Sequence, residues 1–304
     1  MIVSALPAGE LRRQLNRSGI RIRVGPLVAN IRSTFRLVED GIALHYAAHE
    51  VAPSSSFADF HVSVEPSFGI RRWVRPQGVF RFDANPPFNP LPANQAFPLL
   101  EWGLNWCIAA HCHQYLIIHA AVVERAGRAM ILPAPPGSGK STLCAALVAR
   151  GWRLLSDELT LIDITSRLMV PLPRPISLKN QSISTIAAFW PEAPMGPVVH
   201  DTLKGSVAHV QPPPASVRRA GQVVAPGWIV LPSYRAGESV GMTRLSKASG
   251  FMRLVDSAFN YSVLGRCAFE IVADVVEASE CHEFVYGGQL EDAVRAFDDL
   301  ASSR

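Results

Sequence analysis

The chain has 304 residues, of which 48% are apolar and 18% are charged. This length and composition are typical of a globular protein with one large domain or two ordinary ones, and they exclude intrinsic disorder. The net charge is +4, from 29 basic and 25 acidic residues. So small and dispersed an excess favours neither nucleic acid nor a membrane surface as a partner.

Neither a targeting segment nor a metal motif stands out. The first residues lack the pattern of a signal peptide, and no apolar run is long enough to predict a membrane span. The five cysteines are odd in number and form no C-x-x-C pair, which favours reduced thiols and a cytoplasmic location. Cys107 and His111 could share one helical face as metal ligands. Because no second ligand pair follows, we interpret them as part of a buried helix end.

The first third of the chain is predicted to be rich in strands. Its short runs with period-two alternation are I-R-I-R-V, G-I-A-L-H-Y, F-H-V-S-V and G-V-F-R-F, punctuated by proline and glycine. The proline-rich segment 86–94 breaks this pattern. We therefore predict a β-rich N-terminal section over residues 1–94 and a second section over residues 95–304.

The second section mixes predicted helices with predicted strands, which indicates an α/β fold. Its elements in chain order are a helix from about 95 to 112, the strands Y-L-I-I-H-A-A-V-V-E and A-M-I-L-P, a helix over 140–150, the strands R-L-L-S and L-T-L-I-D-I, a proline-rich extended loop V-P-L-P-R-P-I-S-L, irregular structure over 191–226, the strand W-I-V-L-P, two or three helices over 246–278, the strand C-H-E-F-V-Y-G and an amphipathic helix over 289–302.

Residues 132–142 read L-P-A-P-P-G-S-G-K-S-T, between a predicted strand and a predicted helix. A phosphate-binding loop requires that order, because the helix N-terminus presents free N–H groups and a positive dipole. Gly137 and Gly139 let the backbone approach phosphate oxygens. Lys140 would reach the β- and γ-phosphates, and the Ser141 hydroxyl would bind Mg²⁺.

The loop departs from the usual pattern at its first position, where Ala134 replaces glycine. Alanine is still small, and the strand-loop-helix context favours a nucleotide site over a turn that merely begins a helix. We therefore predict ATP and Mg²⁺ as cofactors. The predicted nucleotide-binding residues are Ala134, Pro135, Pro136, Gly137, Ser138, Gly139, Lys140, Ser141 and Thr142.

An acidic pair ends the next strand, in the run L-L-S-D-E. Asp157 and Glu158 lie at the position of a Walker B motif, where a carboxylate holds Mg²⁺. With two adjacent carboxylates, Glu158 can serve the metal while Asp157 accepts a proton from an attacking hydroxyl. The alternative is an ordinary surface pair at a strand end, which the short spacing from the loop disfavours.

These motifs resemble a known family. H-A-A-V-V-E, A-P-P-G-S-G-K-S-T-L and R-G-W-R-L-L-S-D-E look like the catalytic core of bacterial HPr serine kinase/phosphorylase, and most closely the HPr-kinase-related proteins. The resemblance covers roughly residues 115–165. It implies a P-loop nucleotide-binding core like the C-terminal domain of that kinase. It also implies that Asp157 is the catalytic aspartate and that His119 is an active-site histidine that tunes it as an imidazolium.

Two features depart from the family. Its acidic pair is usually Asp-Asp, whereas here Glu158 is the second member. Residues after 165 show no match to its segments for docking HPr and forming hexamers. The acceptor is therefore expected to be some protein or peptide, and a homo-oligomer stays a possible partner state.

The sequence predicts ATP-dependent phosphorylation of a hydroxyl, with a serine of a protein or peptide as the acceptor. Two alternatives remain: a P-loop ATPase that couples hydrolysis to a conformational change, and a nucleotide-gated regulatory protein without phosphotransfer. Arg174, Lys179 and Lys204 on predicted loops could each clamp a phosphate, but solvated loop cations are the default interpretation.

Overall fold

The structure is a computed structural model that describes residues 1–135 and 137–303. The described residues form a mixed α/β protein with several sheets. The strands are β1 Ile20–Val24, β2 Leu27–Ser33, β3 Phe60–Pro66, β4 Gln77–Phe82, β5 Leu91–Pro92, β6 Tyr115–Ile118, β7 Ala120–Arg125, β8 Arg128–Pro133, β9 Arg153–Ser156, β10 Thr160–Asp163, β11 Met169–Val170, β12 Ile176–Lys179, β13 Val199–Thr202, β14 Gly205–Val210, β15 Ala225–Tyr234, β16 Gly241–Arg244 and β17 Glu280–Tyr286. The α-helices are α1 Glu10–Leu15, α2 Arg36–His45, α3 Ala96–His111, α4 Lys140–Ala149, α5 Gln181–Phe189, α6 Pro214–Arg218, α7 Lys247–Asp256, α8 Tyr261–Leu264, α9 Arg266–Ala278 and α10 Leu290–Ser302.

The N-terminal part is a five-stranded sheet in the order β1-β2-β3-β4-β5. Strands β2 and β3 are parallel, and α2 makes the crossover between them. The strand predicted for residues 41–46 is therefore wrong, because this segment lies at the end of α2. Val38, Ile42 and Tyr46 are fully buried at intervals of four, which is the helical and not the strand period.

Helix α3 confirms the predicted helix near residues 95–112. Its apolar residues, among them Leu100, Leu104 and Ile108, pack into one core with the N-terminal sheet. Ile117 and Leu161 from β6 and β10 join the same core. The predicted boundary after residue 94 thus precedes a helix that packs on the N-terminal sheet, and the division into two sections stays a prediction.

The largest sheet has six strands in the order β16-β17-β15-β8-β7-β9. Alternate residues of β8 enter different cores, as expected for a strand buried on both faces. Met130 and Leu132 face the core formed with α4 and α10, whereas Ile131 faces the core formed with α7 and α9. The sheet is therefore the middle of three layers.

Several predicted elements agree with the structure and others need correction. The helices at 140–150, 246–278 and 289–302 are confirmed by α4, by α7 to α9 and by α10. The strand predicted through His119 is two strands, because β6 pairs with β10 while β7 pairs with β8 and β9. Residues 191–226 are not wholly irregular, since they include β14, which pairs with β12. Among the described helices, none has both the length and the hydropathy needed to cross a bilayer.

Candidate functional site

The ends of three strands bring the predicted site residues to one edge of the large sheet. Strand β7 is antiparallel to both β8 and β9, with Ala120 opposite Pro133 and Val122 opposite Ser156. The start of β7 and the ends of β8 and β9 therefore share an edge. His119 directly precedes β7. The predicted phosphate-binding loop directly follows β8, and the acidic pair directly follows β9.

The loop has the conformation that its glycines predict. Gly137 and Gly139 have φ angles of 88° and 85°, in the left-handed region that favours glycine. The Gly139 carbonyl accepts a hydrogen bond of 2.9 Å from the Tyr286 hydroxyl, and the Ser138 carbonyl accepts one of 3.0 Å from the Tyr234 backbone N–H. The ends of β15 and β17 thus hold the loop from one side.

The other predicted nucleotide-binding residues surround this turn. Ala134 is buried at the end of β8, and Pro135 is exposed. Lys140 is the first residue of α4, with the half-buried Ser141 and Thr142 after it. Pro136 lies outside the described residues. The predicted roles of these residues in nucleotide binding stay predictions.

Lys140 is buried beside His119. Its ammonium lies 2.9 Å from His119 Nε2, so this imidazole nitrogen accepts the hydrogen bond. Burial, followed by the charge of Lys140, lowers the pKa of His119 to about 4. The expected imidazolium is therefore wrong: His119 is neutral at physiological pH, because a second cation beside a buried ammonium is unfavourable.

Asp157 is buried at the edge. Its Oδ2 accepts a hydrogen bond of 3.0 Å from the Ser177 backbone N–H, whereas its buried Oδ1 has no hydrogen-bond partner among the described residues. Burial and then the charge of Glu158 raise the pKa of Asp157 to about 6, against the opposing charge of Lys140. The Asp157 carboxylate is therefore a base whose pKa lies close to neutral pH.

Glu158 has a different environment from its neighbour. It accepts a hydrogen bond from the Asn105 side-chain amide, and its Oε1 lies 3.5 Å from Lys179 Nζ. Burial acts to raise its pKa, but the charges of Lys179, Lys204 and other cations outweigh burial and lower the pKa overall. Glu158 therefore stays ionised while Asp157 titrates closer to neutrality.

The cations around Glu158 form what we call the cationic wall, Arg174, Lys179 and Lys204. Arg174 is buried and donates to the Glu101 carboxylate at 2.8 Å and to the Asn105 side chain. Arg174 is therefore neither a solvated loop cation nor free to clamp a phosphate. Lys179 faces Glu158, while Lys204 lies over the ring of Trp102 at 5.1 Å from its centroid.

Sequence reasoning missed Asn105, Glu101 and Trp102, which α3 contributes to the site. Glu101 and Asn105 are four residues apart, so they share one face of the helix. Two polar residues at that spacing within an otherwise apolar helix are a signal that could have found them. The partner that they contact, Arg174, lies about 70 residues away, and no sequence pattern connects the two.

A small cleft of about 20 Å³ lies beside the acidic pair, lined by Asn105, Asp157, Glu158, Arg174 and Ser177 among others. This volume is enough for about one water molecule. The cleft therefore gives a small polar group access to the two carboxylates.

The donor set at this edge fits a magnesium ion that arrives with a nucleotide. No group of three or more histidine, cysteine or acidic side chains that could hold a metal occurs in the described part of the chain. Cys107 is buried and His111 stacks on Phe82, which agrees with the helix-end interpretation. Mg²⁺ is commonly held by one or two carboxylates together with substrate phosphates. Glu158 is an ionised carboxylate of this kind, and the Ser141 hydroxyl in the first turn of α4 is a second oxygen donor.

Part of the chain is similar to known proteins. The family model described as SynChlorMet cassette protein ScmC matches residues 103–170, which include Asn105, the loop and the acidic pair. No curated protein matches the chain. Among solved structures, the Hpr(Ser) kinase/phosphatase from Coxiella burnetii matches 60% of this chain and 96% of that chain, at 10% identity and a TM-score of 0.26.

Proposed function

We propose that the protein binds ATP with Mg²⁺ and transfers the γ-phosphoryl group to a hydroxyl, a serine of a protein or peptide. In this proposal the large sheet, with α4, is a P-loop kinase core of the HPr-kinase type. The observation that carries the proposal is the register of β7, β8 and β9. It places a G-S-G-K-S loop, a buried lysine and a pair of carboxylates with divergent pKa values at one sheet edge.

The phosphate chain of the nucleotide would lie on the loop 134–139 and on the N-terminus of α4. Free backbone N–H groups at a helix start bind phosphate oxygens, and the Lys140 ammonium would contact the β- and γ-phosphates. Ser141 and Glu158 would hold Mg²⁺, which when bound neutralises charge on the phosphate oxygens. His119 would position Lys140 through its Nε2 atom.

Asp157 would act as the general base. A base is most effective when its pKa lies near the working pH, and the pKa of Asp157 is raised to about 6. Its carboxylate would take the proton from the acceptor hydroxyl as the hydroxyl oxygen bonds to the γ-phosphorus and the bond to the leaving ADP oxygen breaks. In the reverse direction, protonated Asp157 would return the proton to the serine oxygen.

Transfer of label tests the proposal directly. The protein is incubated with γ-labelled ATP, Mg²⁺ and lysate of the source cell, with Asp157→Asn as a matched control. The proposal expects a labelled protein or peptide with the wild type and almost none with the variant. Labelled inorganic phosphate without a labelled acceptor would instead indicate an ATPase. Nucleotide bound without turnover would indicate a regulatory protein.

A further inference from the structure

The sheet edge that carries the loop extends from β8 in two directions, toward β7 and β9 with the carboxylates and toward β15 and β17 away from them. Strand β15 is parallel to both β8 and β17, so the C-terminal ends of all three strands lie at this edge. Strands β7 and β9, with Asp157, lie on the other side of β8. Ligands of open α/β sheets bind across such carboxyl ends, so both sides are available to one elongated ligand.

Two tyrosines occupy the ends of β15 and β17, and they differ in burial. Tyr286 is 1% exposed, and its hydroxyl donates to the Gly139 carbonyl. Tyr234 is 44% exposed, and it contacts the loop through its backbone N–H, which donates to Ser138. The two rings meet edge to face, with centroids 5.4 Å apart. Tyr286 therefore supports the loop, whereas the exposed part of the Tyr234 side chain has no such structural task.

We propose that Tyr234 is the platform on which the nucleobase of the bound nucleotide stacks. This inference rests on the proposed function. A nucleoside triphosphate is elongated, with its γ-phosphate and its base at opposite ends. If the γ-phosphate faces Asp157 on the β7 side, the base lies toward β15, where Tyr234 is an exposed aromatic residue next to the loop. Aromatic side chains bind bases through the ring face.

The test separates the base from the phosphates by using two ligands. Calorimetry gives the Kd of Mg²⁺-ATP and of Mg²⁺-tripolyphosphate, which has no base, for the wild type, Tyr234→Leu and Tyr234→Phe. We expect Tyr234→Leu to weaken ATP binding about tenfold, or 1.4 kcal/mol, and to change tripolyphosphate binding less than about twofold. Tyr234→Phe should bind both ligands as the wild type does. All three proteins keep the backbone contact to Ser138.

Two results would overturn the inference: unchanged ATP affinity in Tyr234→Leu, or an equal loss for both ligands, which would make Tyr234 a support of the loop only. Lys140→Ala distinguishes this failure from failure of the proposed function. That variant should lose at least about tenfold for both ligands, because one charge-assisted phosphate contact is removed. If Lys140→Ala binds both ligands normally, or the wild type binds neither, the nucleotide site itself is refuted and the platform with it.

Discussion

Lys140, which follows the loop 134–139, and the cationic wall of Arg174, Lys179 and Lys204 both act on the acidic pair, whose two members have opposite pKa shifts. On the loop side, burial and the charge of Glu158 outweigh the attraction of Lys140, and the pKa of Asp157 is raised to about 6. On the wall side, several cations outweigh burial, and the pKa of Glu158 is lowered. Adjacent carboxylates whose environments separate their pKa values can divide proton transfer from metal binding.

The largest effect that this comparison predicts is on turnover in Asp157→Asn. The amide keeps the shape of the side chain but cannot accept the hydroxyl proton. We expect phosphotransfer to fall by about 10²- to 10⁴-fold, with ATP affinity little changed. Rates of label transfer and calorimetric Kd values measure the two quantities. Transfer near the wild-type rate would show that Asp157 is not the base.

The same substitution should make the stability of the protein, relative to the wild type, increase with pH. Burial raises the pKa of Asp157 to about 6, so the folded state binds this proton more tightly than the unfolded state, where the pKa is about 4. The stability that protonation contributes is complete below about pH 4 and is lost as the pH rises through 6. We therefore expect the free energy of unfolding of Asp157→Asn, relative to the wild type, to increase by on the order of 3 kcal/mol between pH 4 and pH 8.

Denaturant unfolding across that pH range measures this difference, and constant effects of the amide cancel because only the pH dependence is compared. Ser177 donates to Asp157 through its backbone, so Ser177→Ala keeps that hydrogen bond and serves as a control with the wild-type pH dependence. A relative stability of Asp157→Asn that does not vary with pH would contradict the raised pKa.

The loop side could be predicted from the sequence because it is local. The strand, the loop, α4 and the acidic pair all lie between residues 128 and 158, and each has its own signal in glycine, lysine or hydrophobic period. The neutral state of His119 could not be predicted, because it depends on the buried contact with Lys140 across 21 positions. The contact between Asn105 and Arg174 could not be predicted for the same reason, since it joins α3 to a distant loop.

The fold shows the same division. Helices α3, α4 and α10 follow from hydrophobic period and from breakers at their ends. The break at His119 does not, because Y-L-I-I-H-A-A-V-V-E is uniformly strand-forming, and only pairing with two different sheets separates β6 from β7. Period-two patterning also misread residues 41–46, where the buried spacing of four is visible only when this segment is taken together with the preceding residues of α2, among them Val38.

A smaller effect on the phosphotransfer rate is expected from changes at His119, which contacts Lys140 on the loop side. His119→Ala removes the acceptor that fixes the Lys140 ammonium, so the phosphoryl group is less well placed. Misplacement of this kind can cost about ten- to hundredfold in transfer rate. His119→Gln keeps an oxygen acceptor and should recover part of the rate.

Because the wild-type imidazole is already neutral above about pH 4, the two variants should keep the wild-type dependence of activity on pH between pH 7 and 9. If the wild type loses activity at alkaline pH and His119→Gln does not, His119 acts as an imidazolium and its neutral state is refuted.

The smallest effect concerns metal binding on the wall side. Glu158 is ionised and held by Asn105, so its carboxylate is a pre-oriented candidate ligand for Mg²⁺. Glu158→Gln removes the charge, and we expect the Mg²⁺ concentration for half-maximal transfer to rise several-fold, since partners that orient a ligand and the ligand itself both affect metal affinity. Asn105→Ala leaves the carboxylate but frees its orientation, so its requirement should lie between those of the wild type and Glu158→Gln. Titration of activity against Mg²⁺ at saturating ATP gives this order. If Glu158→Gln keeps the wild-type requirement while Asn105→Ala raises it, Asn105 rather than Glu158 controls the metal and the division of labour between the two carboxylates is wrong.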